Sequence, residues 1–407
     1  AQALNSSVLP TRANTNGAMA YTLVIILSFM TTTTSVAFEF RKSSSTFLRK
    51  RVPARGGQSS CNGPAFAGWA EAFAGLAPHK HDNNISPAYQ PRGNSTLLVE
   101  SDISAWNNVR MSWETAVCLA FKTRRLYRVP QIPVDTYADI RLKFMQNGKL
   151  RKLNMFDYYD EDSFRRVIPA TLDSDPLLDG KVFYPDKDPW ALPIEQLTGP
   201  DYTHLVYKEG PGHIATRVFT QYAAVENFKP HEDYVRLIQN AFRLRQDVIC
   251  KTIERLVSYD LSPLSYVALH RRQGDTVNIQ SYNVSATAAA QHVADLVRNK
   301  TVLVVTDTYE PDFLEQLRKL SGAYRVVCWA DKKWEGDDSV FAAQIDMLAA
   351  VGAREFIGSP SSTFSTGIIR WRTQAGTHRV GEPVHFTEQY SPGYEGWPSP
   401  GARGTYF

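Results

Sequence analysis

The C-terminal half of the chain shows the clearest pattern of apolar and polar positions. A β-rich apolar run at 265–270 precedes a regular series of helix-like and strand-like segments. The predicted series continues with a helix at 286–298, a strand at 302–306, a helix at 311–320 and a strand at 325–329. Strands that alternate with helices of this length predict a doubly wound parallel sheet.

The stretch 344–372 completes this series and carries candidate chemistry. An apolar-periodic helix leads to a short strand at 355–357, a small-residue turn from Gly358 to Ser362, and a second helix that Thr363 opens. The first N–H groups of a helix lack partners and its N-terminal end is positive, so a hydroxyl-rich start can hold a phosphate. The alternative is an ordinary helix capped by Ser or Thr.

A similar unit occurs in the N-terminal half. The pattern predicts a strand at 97–99, a loop at 102–108, a helix at 111–122 and a strand at 125–129 that ends at Pro130. Such a unit belongs to a parallel sheet, and its loop lies at the carboxyl end of the first strand. Ligands collect at that end, so Asn107 and Asn108 are candidate binding residues.

Composition narrows the class of protein. A chain of 407 residues with 43% hydrophobic residues can bury two medium cores, which favours two domains. The net charge of +4 is small, and no basic run is interleaved with aromatic residues, so nucleic acid is not an expected partner. The chain contains no G-x-G-x-x-G and no Walker loop, which argues against dinucleotide oxidoreductases and P-loop enzymes.

The first 40 residues resemble a targeting segment. An apolar run from Ala18 to Met30 is followed by small residues at Ser35 and Ala37, which fits a cleaved signal peptide. The alternative is a membrane anchor near 18–40. Either form leads into the secretory pathway.

Sequons and cysteines agree with a lumenal location. The glycosylation triplets begin at Asn84, Asn94, Asn283 and Asn299. The cysteines are Cys61, Cys118, Cys250 and Cys328. They permit two disulfides in three pairings, or none.

The middle of the chain offers three acidic D-x-D triplets. They lie at Asp160–Asp162, Asp173–Asp175 and Asp186–Asp188. Such a triplet can hold a divalent ion against a nucleotide diphosphate. None follows an apolar strand, which favours solvated loops, and we predict no metal site.

The loop after the 265–270 strand provides a candidate cation. If this strand neighbours the 355–357 strand, Arg272 meets Ser362 and Thr363 across one crevice and forms a diphosphate site without a metal. The alternative is a surface Arg272 paired with Asp275. His270 is either a core histidine or a ligand to phosphate or ribose. Asp346 is either a guanine ligand or a solvated carboxylate.

Three motifs together resemble the GDP-fucose protein O-fucosyltransferase family. The first runs from Ser104 to Arg110, through Asn107 and Asn108, and is similar to the family's G-G-x-N-N-Q-R loop. The second, H-x-R-x-x-D, is formed by His270, Arg272 and Asp275. The third, F-I-G-x-x-x-S-T-F-S followed by R-x-R, spans 356–372, and Asp346 precedes it. The resemblance covers about residues 95–375.

The resemblance implies a GT-B-like α/β fold with two Rossmann-like doubly wound domains that face each other across a cleft. It also implies an inverting, metal-independent fucosyltransferase without a cofactor, which uses GDP-fucose as donor substrate. Arg272 would be the catalytic residue, and the donor-binding residues would be Asn107, Asn108, His270, Arg272, Asp346, Ser362, Thr363 and Phe364. Ser104, Ala105 and Val109 depart from the family pattern, and the general base is unassigned, with Asp102 and Glu114 as the nearest carboxylates.

The sequence therefore indicates a fucosyltransferase of the secretory pathway. It transfers fucose to a hydroxyl of a protein or glycan in the endoplasmic reticulum or Golgi lumen. The alternatives are an α-1,6-type or polysaccharide fucosyltransferase and a catalytically silent protein that binds nucleotide sugars or glycans. The expected segments are a leader at 1–40, a stem at 41–94, an acceptor-side domain at 95–260, a GDP-fucose-binding domain at 261–385 and a tail at 386–407.

Overall fold

The computed structural model describes residues 61, 63–79, 86–100, 106–132, 145–146, 149–150, 153–175, 179–184, 194–199, 203–207, 231–272, 285–330, 341–359, 362–377 and 385–386. The helices in these ranges are α1 (Pro64–Ala72), α2 (Trp106–Thr123), α3 (Glu161–Val167), α4 (Ile194–Thr198), α5 (His231–Ala241), α6 (Gln246–Ser258), α7 (Ala286–Ala294), α8 (Pro311–Ser321), α9 (Ala342–Val351) and α10 (Thr363–Ala375). A 3-10 helix spans Met155–Asp157.

The strands are β1 (Thr96–Val99), β2 (Leu126–Val129), β3 (Gln131–Ile132), β4 (Met145–Gln146), β5 (Lys149–Leu150), β6 (Leu153–Asn154), β7 (Ala170–Leu172), β8 (Val182–Phe183), β9 (His204–Tyr207), β10 (Val267–Arg271), β11 (Thr301–Thr306), β12 (Arg325–Cys328), β13 (Glu355–Gly358) and β14 (His385–Phe386). β3 pairs with β6, and β4 pairs with β5, as short antiparallel ribbons. The remaining strands form two parallel sheets.

The N-terminal sheet has the strand order β7-β2-β1-β9-β8, and all of its described pairs are parallel. Its central strand β1 is buried at all four positions. The chain adds β2 and β7 on one side of β1 and then places β9 on the other. The strand order therefore reverses between β1 and β9, which makes that position a topological switch point.

The C-terminal sheet has the order β12-β11-β10-β13-β14 and is also parallel. Its central strand β10 is buried at all five positions. Val267 and Leu269 pack in one apolar cluster with residues of α7 and α8, whereas Ala268 packs in a second cluster with residues of α9. Because neighbouring side chains of a strand point to opposite faces, helices cover both faces of this sheet.

The two sheets confirm the predicted fold class, an α/β protein with two doubly wound, Rossmann-like sheets. The bounds of the predicted strands and helices in the C-terminal half agree with the structure to within a few residues. The boundaries predicted between the domains stay a prediction.

Helix α2 differs from its prediction in a way that matters for the site. It begins at Trp106, whereas the apolar pattern predicted a start near 111, so Asn107 and Asn108 belong to the first helical turn instead of a loop. The ring of Trp106 lies 4.1 Å from that of Tyr158 and 5.5 Å from that of Trp113. These aromatic contacts hold the early turn in place, and a pattern within one segment does not reveal them.

Part of the segment predicted as a stem packs into the core. Trp69, Phe73 and Leu76 are each buried to 1% exposure or less. Just before α1, Cys61 forms a disulfide with Cys250 of α6. In the described ranges no helix is long and apolar enough to cross a membrane, and the predicted leader or anchor at 18–40 lies outside them.

Candidate functional site

The switch point of the C-terminal sheet brings two candidate segments together. β10 and β13 are neighbours in register, with Ala268 beside Phe356 and Leu269 beside Ile357. Because both strands run in the same direction, the loops that follow them leave at the same edge of the sheet. The strand neighbourhood that the diphosphate hypothesis required is therefore present.

His270 connects these two segments through hydrogen bonds. Its Nδ1 lies 2.7 Å from Oγ of Ser365, a residue in the first turn of α10. The backbone N–H of Ser359 donates to the same Oγ at 2.9 Å, and the hydroxyl of Ser359 donates to the carbonyl of His270 at 2.8 Å. The ring of Phe364 lies 4.9 Å from the imidazole ring. Hydrogen bonds thus connect the end of β10 to the start of α10.

The imidazole of His270 is held in its neutral form. It is 4% exposed, and burial lowers its pKa from 6.5 to about 3, with the charge of Arg272 adding to the effect. A neutral ring beside a guanidinium adds no competing positive charge. His270 therefore positions neighbouring groups and does not serve as a cation for an anionic ligand.

Arg272 stands at the end of β10 with about a fifth of its side chain exposed. Its Nη1 lies 3.5 Å from Oδ2 of Asp307, which follows the end of the neighbouring strand β11. Asp275, the partner that the sequence suggested, lies outside the described residues. Asp307 was missed in the sequence, although its position directly after a predicted strand was a usable signal.

Arg271, the neighbouring basic residue, forms a buried ion pair. Its guanidinium is buried and pairs with Glu310 at 3.0 Å, over the ring of Phe313. Successive side chains of a strand alternate between faces, so Arg271 and Arg272 diverge. Of these two arginines, Arg272 is the one with an accessible guanidinium.

The turn between β13 and α10 follows a tight path. A Cβ on Gly358 would lie 3.1 Å from Oγ of Ser365, so a larger residue would press on the serine. Ser362 is the N-cap residue of α10 and is buried, yet its side chain does not cap the helix. Pro360 and Ser361, and the side chain of Thr363, lie outside the described residues.

Asn107 reaches the same helix from the N-terminal half. It is 3% exposed, and its Oδ1 accepts a hydrogen bond from Nε of Arg110 at 2.9 Å. A Cβ on Gly367 of α10 would lie 2.5 Å from that Oδ1, so the two helices touch where α10 has a glycine. The side chain of Asn108 lies outside the described residues.

Contacts that lie closer to the C-terminus of α2 also lie closer to the C-terminus of α10. Asn107 lies at Gly367, and further along Glu114 bonds Arg370 at 2.6 Å. The N-terminal ends of both helices therefore lie at the same end of this interface. Helix N-termini are positive, so their convergence favours an anionic ligand there.

Glu114 is not available as a general base. It is 2% exposed, with one oxygen paired with Arg110 and the other with Arg370. These two ion pairs occupy both oxygens of the carboxylate. Asp102, the other candidate base, lies outside the described residues.

Asp346 forms a hydrogen bond at the β12 edge of the C-terminal sheet, away from β10. Its Oδ1 accepts a hydrogen bond from Nε1 of Trp329 at 2.7 Å, and Trp329 directly follows β12. β12 is separated from β10 by β11. The predicted contact of Asp346 with guanine stays a prediction.

The described D-x-D triplets have local structural roles. Asp160 accepts the N–H of Ser163 at 2.8 Å and caps α3. Asp173 pairs with Arg128, and Asp175 accepts the N–H of Leu172 at 3.1 Å. In the described part of the chain no group of three or more His, Cys, Asp or Glu is placed to hold a metal ion. Asp186–Asp188 lies outside that part.

Fold and site together define an α/β protein with two parallel sheets, in which Arg272 and the N-terminus of α10 follow neighbouring strands of the C-terminal sheet. No protein-family model matches the chain, and no curated protein does. Solved structures that resemble it are fucosyltransferases with low identity, and their TM-scores lie below 0.5.

Three of these structures illustrate the likeness. POFUT1 in complex with GDP is 12% identical, with a TM-score of 0.44 over 72% of this chain and 99% of that one. The α-1,6-fucosyltransferase NodZ, soaked with GDP-fucose, is 15% identical, with a TM-score of 0.40 over 69% and 92%. A mutant of FUT1 from Arabidopsis thaliana in complex with GDP is 12% identical, with a TM-score of 0.43 over 77% and 73%.

Proposed function

We propose that this protein is a glycosyltransferase that moves fucose from GDP-fucose to a hydroxyl of a protein or glycan. The observation that carries the proposal is the placement of Arg272 and the N-terminus of α10 at the ends of two neighbouring strands, β10 and β13. A guanidinium and a helix N-terminus are the groups that bind a diphosphate. The sequence motifs that surround them supply the assignment to GDP-fucose.

The mechanism follows from where negative charge develops. As the bond between fucose and phosphate breaks, the β-phosphate gains charge, which Arg272 and the first N–H groups of α10 stabilise. An acceptor hydroxyl attacks the anomeric carbon from the face opposite to the leaving GDP and loses its proton to a base. The configuration at that carbon is inverted. These groups supply the charge stabilisation that a divalent ion supplies elsewhere.

The assay for this function uses the purified protein with GDP-fucose. The expected result is release of GDP, with transfer of fucose to an acceptor from a panel of glycoproteins and glycans, and little change on addition of EDTA. Binding of GDP is measured separately by calorimetry. Absence of both binding and turnover would exclude the proposal, and complete loss with EDTA would exclude its metal-independent form.

A second candidate is a catalytically silent protein that binds nucleotide sugars. The observation that favours it is the double pairing of Glu114 with Arg110 and Arg370, which removes the nearest described carboxylate as a base. GDP binding without GDP release from GDP-fucose would support this candidate. A panel of acceptors separates the α-1,6-type and polysaccharide alternatives from transfer to protein.

The endoplasmic reticulum or Golgi lumen is the proposed location. The disulfide between Cys61 and Cys250 suits an oxidising compartment. Two sequon residues, Asn94 and Asn299, are exposed. Expression in a eukaryotic cell should give a protein whose mass falls on treatment with an N-glycosidase. An unglycosylated protein in the cytosol would exclude this location.

A further inference from the structure

A buried network of charges joins the two helices that meet at the candidate site. Glu114 of α2 contacts Arg110 of the same helix and Arg370 of α10, at 2.6 Å for the latter. The three side chains are 2%, 1% and 8% exposed. The pair between Glu114 and Arg370 is therefore a buried ionic contact between the N-terminal and C-terminal halves of the chain.

The network continues to Asn107. Nε of Arg110 donates to Oδ1 of Asn107 at 2.9 Å, which turns the amide so that its NH2 group faces away from Arg110. Asn107, Arg110 and Glu114 follow one another at spacings of three and four residues on α2, so they share one face of the helix. Gly367 and Arg370 do the same on α10. Each step from Arg370 to Asn107 is thus a direct contact.

The arginines depend on the carboxylate between them. Burial lowers the pKa of Arg370, and Glu114 opposes this effect by favouring the charged form. Nη2 of Arg110 is buried and has no hydrogen-bond partner among the described residues. Glu114 is therefore the group that holds the guanidinium of Arg110 in the orientation from which Nε reaches Asn107.

We propose that Glu114 is a positioning residue. Through its contact with Arg110, it sets the orientation of the Asn107 side chain relative to α10. The inference rests on the proposed function, in which α10 binds the diphosphate, and on the family resemblance, which makes Asn107 a donor-binding residue on the sugar side. Glu114 then places the sugar-side amide against a donor whose phosphates are held by α10. Its loss affects the catalytic step and leaves nucleotide affinity nearly unchanged.

A double-mutant cycle tests this role. Glu114→Gln, Asn107→Ala and the double variant are compared for kcat with GDP-fucose and for the Kd of GDP. We expect Glu114→Gln to lower kcat by about 10- to 100-fold, because small displacements of positioning groups have effects of that size. GDP affinity should change by less than about 3-fold, and Glu114→Gln should add little when Asn107 is already Ala. Equal losses in both backgrounds would overturn the inference.

A second variant separates positioning from folding. Replacing the network by apolar residues, with Arg110→Met, Glu114→Leu and Arg370→Met together, removes all three buried charges, so that no charged partner is left behind. Proteins often tolerate such a replacement. We expect this variant to fold and bind GDP, with kcat still reduced about 10-fold or more because Asn107 has lost its hydrogen bond from Arg110. A wild-type kcat in this variant would overturn the inference.

Two controls complete the design. Glu161→Gln removes an exposed pair of the same i,i+4 type, between Glu161 and Arg165 of α3, and should leave kcat unchanged. Wild-type protein that neither binds GDP nor turns over GDP-fucose would overturn the proposed function and this inference with it. Wild-type turnover with additive effects in the cycle would overturn only this inference.

Discussion

At the scale of single residues, the site depends on one accessible guanidinium and one neutral imidazole. His270 lies in β10 and Arg272 directly follows the strand; His270 is hydrogen-bonded to Ser365, whereas the side chain of Arg272 is about a fifth exposed. The imidazole is buried, and its Nδ1 is hydrogen-bonded to Ser365. Their neighbourhood therefore combines a fixed scaffold with a charge that a ligand can reach.

Removal of the Arg272 guanidinium should abolish most of the transfer. Arg272→Ala is expected to lower kcat about 100- to 1,000-fold, because it removes stabilisation of charge on the leaving phosphate. Arg272→Lys should recover part of the loss, since the charge remains and the two-pronged geometry is lost. The measurement is GDP release under saturating GDP-fucose. Arg298→Ala, at an exposed surface pair, is the matched control, and an Arg272→Ala variant as active as this control would contradict the role.

The lowered pKa of His270 predicts that the stability of the protein depends on pH. Its folded pKa of about 3 lies below its ordinary value of 6.5. Between these values the unfolded chain binds a proton that the folded protein does not, so the free energy of unfolding falls as the pH drops from about 6.5 towards 3. The contribution is about 1.4 kcal/mol per pH unit.

Denaturant unfolding at pH 7, 6 and 5 measures this effect in wild type and in His270→Gln. The variant should lose less stability on acidification than wild type does. His292→Gln, which replaces an exposed histidine of α7, is the control for a histidine substitution away from the site. Parallel curves for wild type and His270→Gln would show that the imidazole does not titrate on unfolding in this range.

At the scale of secondary-structure elements, the contact between α2 and α10 is the feature that joins the two halves of the site. It depends on a close approach at Gly367, where a side chain would meet Asn107 at 2.5 Å and Cε of Met347 at 2.7 Å. Both helices begin at the carboxyl edge of a parallel sheet. Their packing therefore sets how Asn107 and the turn between β13 and α10 are placed relative to each other.

Gly367→Ala should separate the helices and weaken both stability and transfer. An added methyl group in a packed interface costs about 1–3 kcal/mol, even though alanine is the better helix former. We expect a lower unfolding midpoint in denaturant and a reduced kcat. Gly68→Ala, in α1, is the matched control, because its Cβ would lie at an ordinary 3.5 Å from Pro263. A Gly367→Ala variant as stable and active as Gly68→Ala would contradict the close packing.

At the scale of the whole molecule, residues distant in sequence close the fold. The disulfide from Cys61 to Cys250 spans 189 residues and ties the segment before α1 to α6. Trp69, Phe73 and Leu76 of the same segment are buried in the main core. A segment with the composition of a linker therefore contributes to the folded unit.

Loss of this disulfide should lower the free energy of unfolding. Cys61→Ser or Cys250→Ser is expected to cost about 2–5 kcal/mol, because a long closed loop restricts the unfolded chain. Equilibrium unfolding under non-reducing conditions measures the change. Cys328→Ser is the control, since it replaces a cysteine that does not belong to this disulfide. Equal stability of the Cys61 and Cys328 variants would exclude a stabilising bridge.

The sequence by itself determined the local features of this protein. The alternation of strands and helices from 265 to 372 predicted the C-terminal sheet, because apolar periodicity reports which face of an element is buried. The same pattern made Arg272, His270 and the Ser362–Thr363 helix start candidate site residues, since residues at the carboxyl ends of parallel strands lie at one edge. Their chemical suitability followed from the residue types alone.

Only the tertiary structure decided which of these residues meet. The order β11-β10-β13 placed Arg272 beside Asp307, and Trp106 packs against Tyr158 at the first turn of α2, which contains Asn107. Glu114 forms ion pairs with Arg110 and with Arg370 of α10. The pairing of Cys61 with Cys250 was likewise one of several that the sequence allowed. Each of these depends on contacts between residues far apart in the chain, and local periodicity contains no information about such distances.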